Sequence, residues 1–305
     1  MIEIKNLTLQ RGETLGLIGE SGSGKTLAML ALMGLLPRNA QASGSVRFNG
    51  RELLGLNEKA WCSVRGAQIG MVFQEPMTAL NPLQRVGDAI AEGLRLHHGL
   101  DAASAREQAI DWMARVGIDR PSQRWRDYPH QFSGGQRQRI VLASALACRP
   151  SLLIADEPTT ALDSTVQAQV LDLLQQLVAE AGMALILISH DLALVARHVQ
   201  RLCVLYADRL LEQGSSQRLF TQAAHPYTRA LLAAKPRLDQ AHGTPLPGLP
   251  GRLPDLYDLP PGCRFAARCP QAQDTCLSAE PPLLTLPSND TWPHQVRCLF
   301  PQGQS

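Results

Sequence analysis

The stretch GESGSGKT, residues 19–26, decides the architecture of this chain. Three glycines, two serines and a lysine in eight residues suit neither a helix interior nor a strand. Upstream, TLGLIG at 14–19 is a short apolar run of the kind a buried strand presents. Downstream, TLAMLALMGLL consists of strong helix formers and predicts a helix that runs up to Pro37. Strand, glycine loop and helix form the setting in which the pattern G-x-x-x-x-G-K-[ST] cradles phosphate. With no Cβ to collide, successive backbone N–H groups turn inward around phosphate oxygens, and the helix N-terminus favours an anion. The candidate loop residues are Gly19, Glu20, Ser21, Gly22, Ser23, Gly24, Lys25 and Thr26. Lys25 would reach the β- and γ-phosphates, and Thr26 would offer its hydroxyl to Mg²⁺.

A second element supports this. SLLIADEP at 151–158 is an apolar strand ending in two adjacent carboxylates and a proline. A strand buried on both faces of a parallel sheet has this composition, and ligands gather at its carboxyl end. Asp156 is a candidate Mg²⁺ ligand. Glu157, expected on the opposite side of the strand, is a candidate general base for an attacking water. FSGGQRQRIVLASALA at 132–147 is a third element, with Ser133 as a plausible N-cap and apolar residues at helical spacing from Ile140. It offers a second helix N-terminus with bare amides. One nucleotide does not need two cradles, so this one serves a nucleotide held by another copy or a paralogue.

The bulk properties agree with a globular protein. Of 305 residues, 45% are hydrophobic and 18% charged, and the net charge is +2. That balance gives no global attraction to nucleic acid or anionic lipid. The longest apolar runs, such as MALILIS at 183–189, are too short to span a bilayer, and no basic segment precedes an apolar leader. The expectation is a chain without its own anchor, retained in the compartment where it is made. Val86, Ile90 and Leu94 fall at helical spacing and predict one core-facing stripe.

Taken in order, these elements resemble the nucleotide-binding subunit of an ABC transporter across roughly residues 5–235. GESGSGKT resembles the Walker A loop, Gln74 in VFQEP the Q-loop, and FSGGQ the signature. LLIADE resembles Walker B, Ala161–Leu162–Asp163 the D-loop, and His190 in ISHD the switch histidine. The resemblance implies an α/β fold: a P-loop NTPase with a RecA-like core, a helical subdomain at about 77–150 and a small cysteine-containing C-terminal extension. It implies ATP and Mg²⁺ as ligands, with Thr26, Gln74 and Asp156 around the metal. Glu157, His190 and Gln74 would be catalytic. Ser133, Gly134, Gly135, Gln136 and Asp163 would close on the ATP of a second ATPase subunit, identical or paralogous.

QEPMTALNP at 74–82, YPHQFSGGQRQR at 128–139, ADEPTTALD at 155–163 and HPYTRALLAA at 225–234 resemble the ATPases of dipeptide and oligopeptide importers. That branch also includes importers of nickel and of antimicrobial peptides. The resemblance implies two polytopic permease subunits, one docking a short helix near Gln74, and an extracytoplasmic solute-binding protein. It implies a peripheral place on the cytoplasmic face of the inner membrane and no nucleic-acid partner. The rival readings are a non-transport ABC ATPase acting on DNA or the ribosome and a regulatory subunit that binds ATP without hydrolysing it. Long coiled-coil insertions or a second ATPase half would mark the former. Glu157 and His190 weigh against the latter.

Beyond the body, residues 236–262 are proline-rich and read as a linker. In residues 263–305, Cys263, Cys269, Cys276 and Cys298 are separated by five, six and twenty-one residues, unlike the C-x₂-C pattern of common zinc sites. Zinc, an iron–sulfur cluster and four free thiols are the alternatives that the residues leave open. The resemblance to the importer extension implies a [4Fe–4S] cluster. One departure concerns adenine. Members of the family stack an aromatic from an early strand on the base, but residues 1–18 contain no Phe, Tyr, Trp or His. Such stacking contributes about 1–3 kcal/mol per base. The expectations are a start further upstream or weaker nucleotide binding.

Overall fold

TLGLI is apolar at every position, which a strand buried on both faces requires, and Thr14–Ile18 forms β1 with all five residues buried. The computed structural model describes residues 7–74, 79–160, 162–234, 249, 251–255 and 258–302. After β1, the strands in chain order are β2 (Arg47–Phe48), β3 (Arg51–Glu52), β4 (Ile69–Val72), β5 (Leu152–Asp156) and β6 (Ala184–Ser189). They continue with β7 (Arg201–Tyr206), β8 (Arg209–Ser215), β9 (Leu284–Leu286) and β10 (His294–Val296). The helices used below are α1 (Lys25–Leu32), α2 (Val86–His98), α3 (Ala102–Arg115), α4 (Gly134–Leu146), α5 (Ser164–Ala181) and α6 (Pro226–Ala233).

The chain forms two compact units. The first comprises residues 7–8, 14–25 and the described residues from 189 onward; the second comprises residues 9–13 and 26–188. In the second unit β5 lies between β4 and β6, parallel to both, with Leu152 opposite Ile69 and Ala184. Its strands carry Ile69, Val72, Leu153, Ile154 and Leu187, each nearly or fully buried. Val86, Ile90 and Leu94 form the expected stripe on α2 and are buried. The described residues between 73 and 151 contain helices and no strand.

The expected run of α1 to Pro37 needs correction. The helix ends at Leu32, because Gly34 takes φ +62° while its N–H donates to the Ala31 carbonyl and the Leu35 N–H donates to Leu30. This pairing closes the helix with a left-handed residue that glycine adopts freely. A Cβ at Gly34 would also stand 2.3 Å from the Trp61 ring.

In the first unit β1 pairs in parallel with β7, and β8 turns back antiparallel on β7. The cysteine-containing segment adds to the same arrangement. β10 pairs antiparallel with β8, placing Val296 opposite Glu212, and β9 pairs with β10. Glu212 is fully buried, yet its carboxylate accepts from the N–H groups of Ala224 and His225 and meets His294 Nε2 at 2.8 Å. A buried charge persists only when surrounded in this way. Residues 1–6 lie outside the described residues, as do 236–248, 250, 256 and 257 of the expected linker. So does Ala161 of the D-loop motif.

Candidate functional site

The glycine loop follows β1 and leads into α1, so the expected strand–loop–helix context is present. Gly22 and Gly24 take φ of 81° and 88°. A Cβ at Gly19 would lie 2.3 Å from the Leu205 carbonyl oxygen and 2.6 Å from Ser23 Oγ, so the strand end tolerates only glycine there. The Lys25 ammonium is buried within the loop and donates to the carbonyls of Gly19 (2.8 Å) and Glu20 (2.9 Å) and to Ser23 Oγ (3.3 Å). An ammonium held by three oxygens of its own loop has its position fixed by that loop. Thr26, the next residue, is exposed in the first turn of α1.

In the second unit β5 ends at Asp156, which is 1% exposed. Glu157 does not continue the strand. Its φ of +45° turns the chain, so the alternation of strand faces does not reach it. A left-handed residue other than glycine costs about 1–2 kcal/mol and persists only where its surroundings impose it. Here the Glu157 N–H donates to Ile188 on β6, and the carboxylate accepts from Gln74 Nε2 at 3.1 Å and Thr160 Oγ1 at 3.0 Å. Two of the expected catalytic residues, Gln74 and Glu157, are therefore joined directly. Thr160 is a partner that the sequence reading missed; the EPTT run signalled polarity but not the contact.

Ser133 caps α4 as expected. Its Oγ accepts from the Gln136 N–H, and the Gln136 side chain accepts from the Ser133 N–H, closing a capping box ahead of Gly134 and Gly135. Asp163 serves as the N-cap of α5, accepting from Thr165 and Val166. His190 is exposed just after β6 and belongs to the first unit.

The four C-terminal cysteines converge. Cys263, Cys269, Cys276 and Cys298 line one pocket together with His225, Phe265 and Phe300. Burial pushes the Cys263, Cys269 and Cys298 thiols up, the last to about 11, and the neighbouring thiols add to the rise. Among the described residues no group of three or more His, Cys, Asp or Glu side chains stands close enough to hold a metal as placed. The donor chemistry suits a soft metal, but the thiols lie around the pocket rather than in a closed ligand set.

Side chains outside the phosphate-site motifs also hold the glycine loop. The Glu20 N–H donates to Tyr227 Oη at 3.0 Å, and the Glu20 carboxylate is gripped by Arg268. Tyr227 lies in the HPYTRALLAA motif and Arg268 directly before Cys269, but neither position signalled a contact with the loop.

The fold and the motif geometry define a P-loop ATPase of the ABC class. The chain belongs to the ABC transporter family: the family described as "ABC transporter" matches residues 2–160, and "Oligopeptide/dipeptide transporter, C-terminal region" matches residues 211–276. The chain is 50% identical to the oligopeptide transport ATP-binding protein OppD of Salmonella typhimurium over 276 residues, which cover 90% of this chain and 82% of that one. OppD of Escherichia coli matches equally, and a putative peptide import ATP-binding protein of Brucella melitensis is 45% identical over 96% of this chain and 89% of its own. Among solved structures, the dimeric post-hydrolysis state of the ATP-binding cassette MJ0796 bound to ADP and Pi superposes with a TM-score of 0.61. It is 26% identical and covers 69% of this chain and 88% of its own. Among the described residues no helix is long and apolar enough to cross a membrane.

Proposed function

We propose that this chain hydrolyses ATP to energise the import of dipeptides or oligopeptides, acting from the cytoplasmic face of the membrane. It would work as one of two ATPase subunits beneath two permease subunits, with an extracytoplasmic solute-binding protein delivering the solute. Residues 1–235 form the ATPase body in this reading, with 236–262 a linker and 263–305 the extension. The relatives' names and the match at residues 211–276 support the peptide branch over nickel.

The hydrogen bond from Gln74 to Glu157 carries the hydrolytic part of the proposal. Glu157, held by Gln74 and Thr160, takes a proton from the attacking water while Gln74 orients it. Lys25 and the amides of residues 19–26 hold the phosphates, and His190 donates to the γ-phosphate. Ser133 to Gln136 and Asp163 face the nucleotide of the partner subunit. The Thr26 hydroxyl, the Gln74 amide oxygen and the Asp156 carboxylate are hard oxygen donors suited to Mg²⁺, which when bound would neutralise charge growing on the phosphates. The resemblance assigns Cys263, Cys269, Cys276 and Cys298 to a [4Fe–4S] cluster, which when bound would tie the extension together; the four thiols share one pocket without forming a closed ligand set as placed.

Uptake of a labelled oligopeptide by vesicles carrying the assembled transporter tests the function. ATP-dependent uptake abolished by Glu157→Gln is expected. Uptake of Ni²⁺ in place of peptide would reassign the substrate, and hydrolysis unaffected by Glu157→Gln would remove the catalytic assignment.

A further inference from the structure

Arg268 closes a short 3₁₀ turn, Ala266–Arg268, immediately before Cys269, and its guanidinium reaches the glycine loop. Nη1 donates to Glu20 Oε2 at 2.7 Å and Nη2 to Glu20 Oε1 at 2.9 Å, a forked pair in which the arginine side chain is 6% exposed and the glutamate 25%. Nη1 also lies 3.2 Å from Tyr206 Oη. The base of this arm is packed among aromatic rings. Phe265, whose carbonyl accepts from the Arg268 N–H, packs edge-on against Tyr206 and tilted against Tyr227, with ring centroids 5.2 and 5.3 Å apart. Tyr227 Oη accepts from the Glu20 N–H, and the Glu20 carbonyl accepts from Lys25.

We propose that Arg268 is a positioning residue for ATP binding: it fixes the phosphate loop through Glu20 and cancels the charge of a carboxylate standing within that loop. The inference rests on residues 19–26 being the ATP loop. A loop that binds through fixed amides loses affinity when it must be ordered on binding. An uncompensated carboxylate beside a triphosphate would add repulsion. Both costs fall on Arg268, because a planar fork grips both carboxylate oxygens where a single ammonium grips one. The cysteine-bearing extension thereby becomes part of the nucleotide site, through an arm 248 residues from its partner.

The test is titration of the full chain with a non-hydrolysable ATP analogue and Mg²⁺, on proteins whose melting temperatures are recorded alongside. Arg268→Ala is expected to weaken binding about tenfold, the scale of one charge-assisted contact. Arg268→Lys should fall between that variant and the wild type. The double variant Glu20→Gln with Arg268→Ala should bind more tightly than Arg268→Ala and less tightly than the wild type, since the uncompensated charge is gone while the loop still lacks its anchor. A plain structural brace would lower the melting temperature without this recovery. Wild-type affinity in Arg268→Ala, or a double variant as weak as the single one, overturns the proposal. If Arg268→Ala fails to fold, Arg268→Gln replaces it in the same cycle and is judged by the same outcomes. Lys25→Ala keeps the two inferences apart. Undiminished affinity there overturns the loop assignment and the role of Arg268 with it, whereas lost affinity there beside wild-type affinity in Arg268→Ala overturns the role of Arg268 alone.

Discussion

Gln74 Nε2 donates to Glu157 Oε2 at 3.1 Å, joining residues 83 positions apart at the carboxyl ends of the adjacent strands β4 and β5. The two strands run parallel, so the residues that follow each of them emerge on the same side. The glutamate is also held by Thr160 and sits in a left-handed turn. A side chain constrained in this way is suited to accept a proton in one geometry.

Replacing Glu157 with Gln keeps the shape and the Thr160 contact but removes the base. Steady-state ATP hydrolysis should fall by about 10²–10⁴-fold, the range for a positioned general base, while ATP affinity stays within a few-fold of wild type. Phosphate release measured beside nucleotide titration checks both halves.

Gly19→Ala should abolish nucleotide binding. The new methyl would meet the Leu205 carbonyl at 2.3 Å and Ser23 Oγ at 2.6 Å, and the first of these is backbone that cannot swing aside. Calorimetric titration with ATP should show no saturable binding in a variant that still gives a folded circular-dichroism spectrum.

Asp163→Ala removes the cap that accepts from the N–H groups of Thr165 and Val166. A lost N-cap costs about 1 kcal/mol, a fall in melting temperature of roughly 2–4 °C for units of this size. Asp163→Asn, which keeps the acceptor, should recover most of the loss in a thermal melt.

Stability should depend on pH through His225. Burial presses its imidazole down to about 4, against a weaker upward pull from Glu212, and its Nδ1 accepts from the Tyr227 N–H as the cap of α6. The neutral ring is thus the native form. Above pH 6.5 folded and unfolded chains carry the same charge at this position. Between 6.5 and 4 only the unfolded chain takes up the proton, so stability drops as the pH falls through that window, by roughly 3 kcal/mol at most. Urea unfolding at pH 7 and pH 5 should show the decline in the wild type and a smaller one in His225→Asn, which keeps a cap acceptor without the titration.

Anaerobically purified protein should be brown and contain iron if the cysteine pocket holds a cluster, and Cys276→Ser should remove both colour and iron. Colourless, iron-free protein prepared without oxygen would leave the four thiols without that role.

Much of the chemistry was legible because it is local. The glycine loop between strand and helix, the Ser133 cap and the carboxylates ending β5 are each written in a few consecutive residues, and the folded chain forms them there. The helix after the loop ends at Leu32, short of the stop that Pro37 predicts. Gly34 ends it earlier because its turn packs against Trp61, a residue that helix-forming tendency does not see. The pattern of Val86, Ile90 and Leu94 was legible for the opposite reason: burial on one helical face leaves a period in the sequence.

The sequence by itself determined where glycine-rich turns open helices and where carboxylates stand at strand ends, because those requirements act between near neighbours in the chain. Only the tertiary structure decided what holds them: Gln74 on Glu157, and Tyr227 and Arg268 on Glu20, at separations of 83, 207 and 248 residues. A hydrogen bond reaches about 3 Å through space, and no local pattern records which distant side chain the fold will bring within that reach.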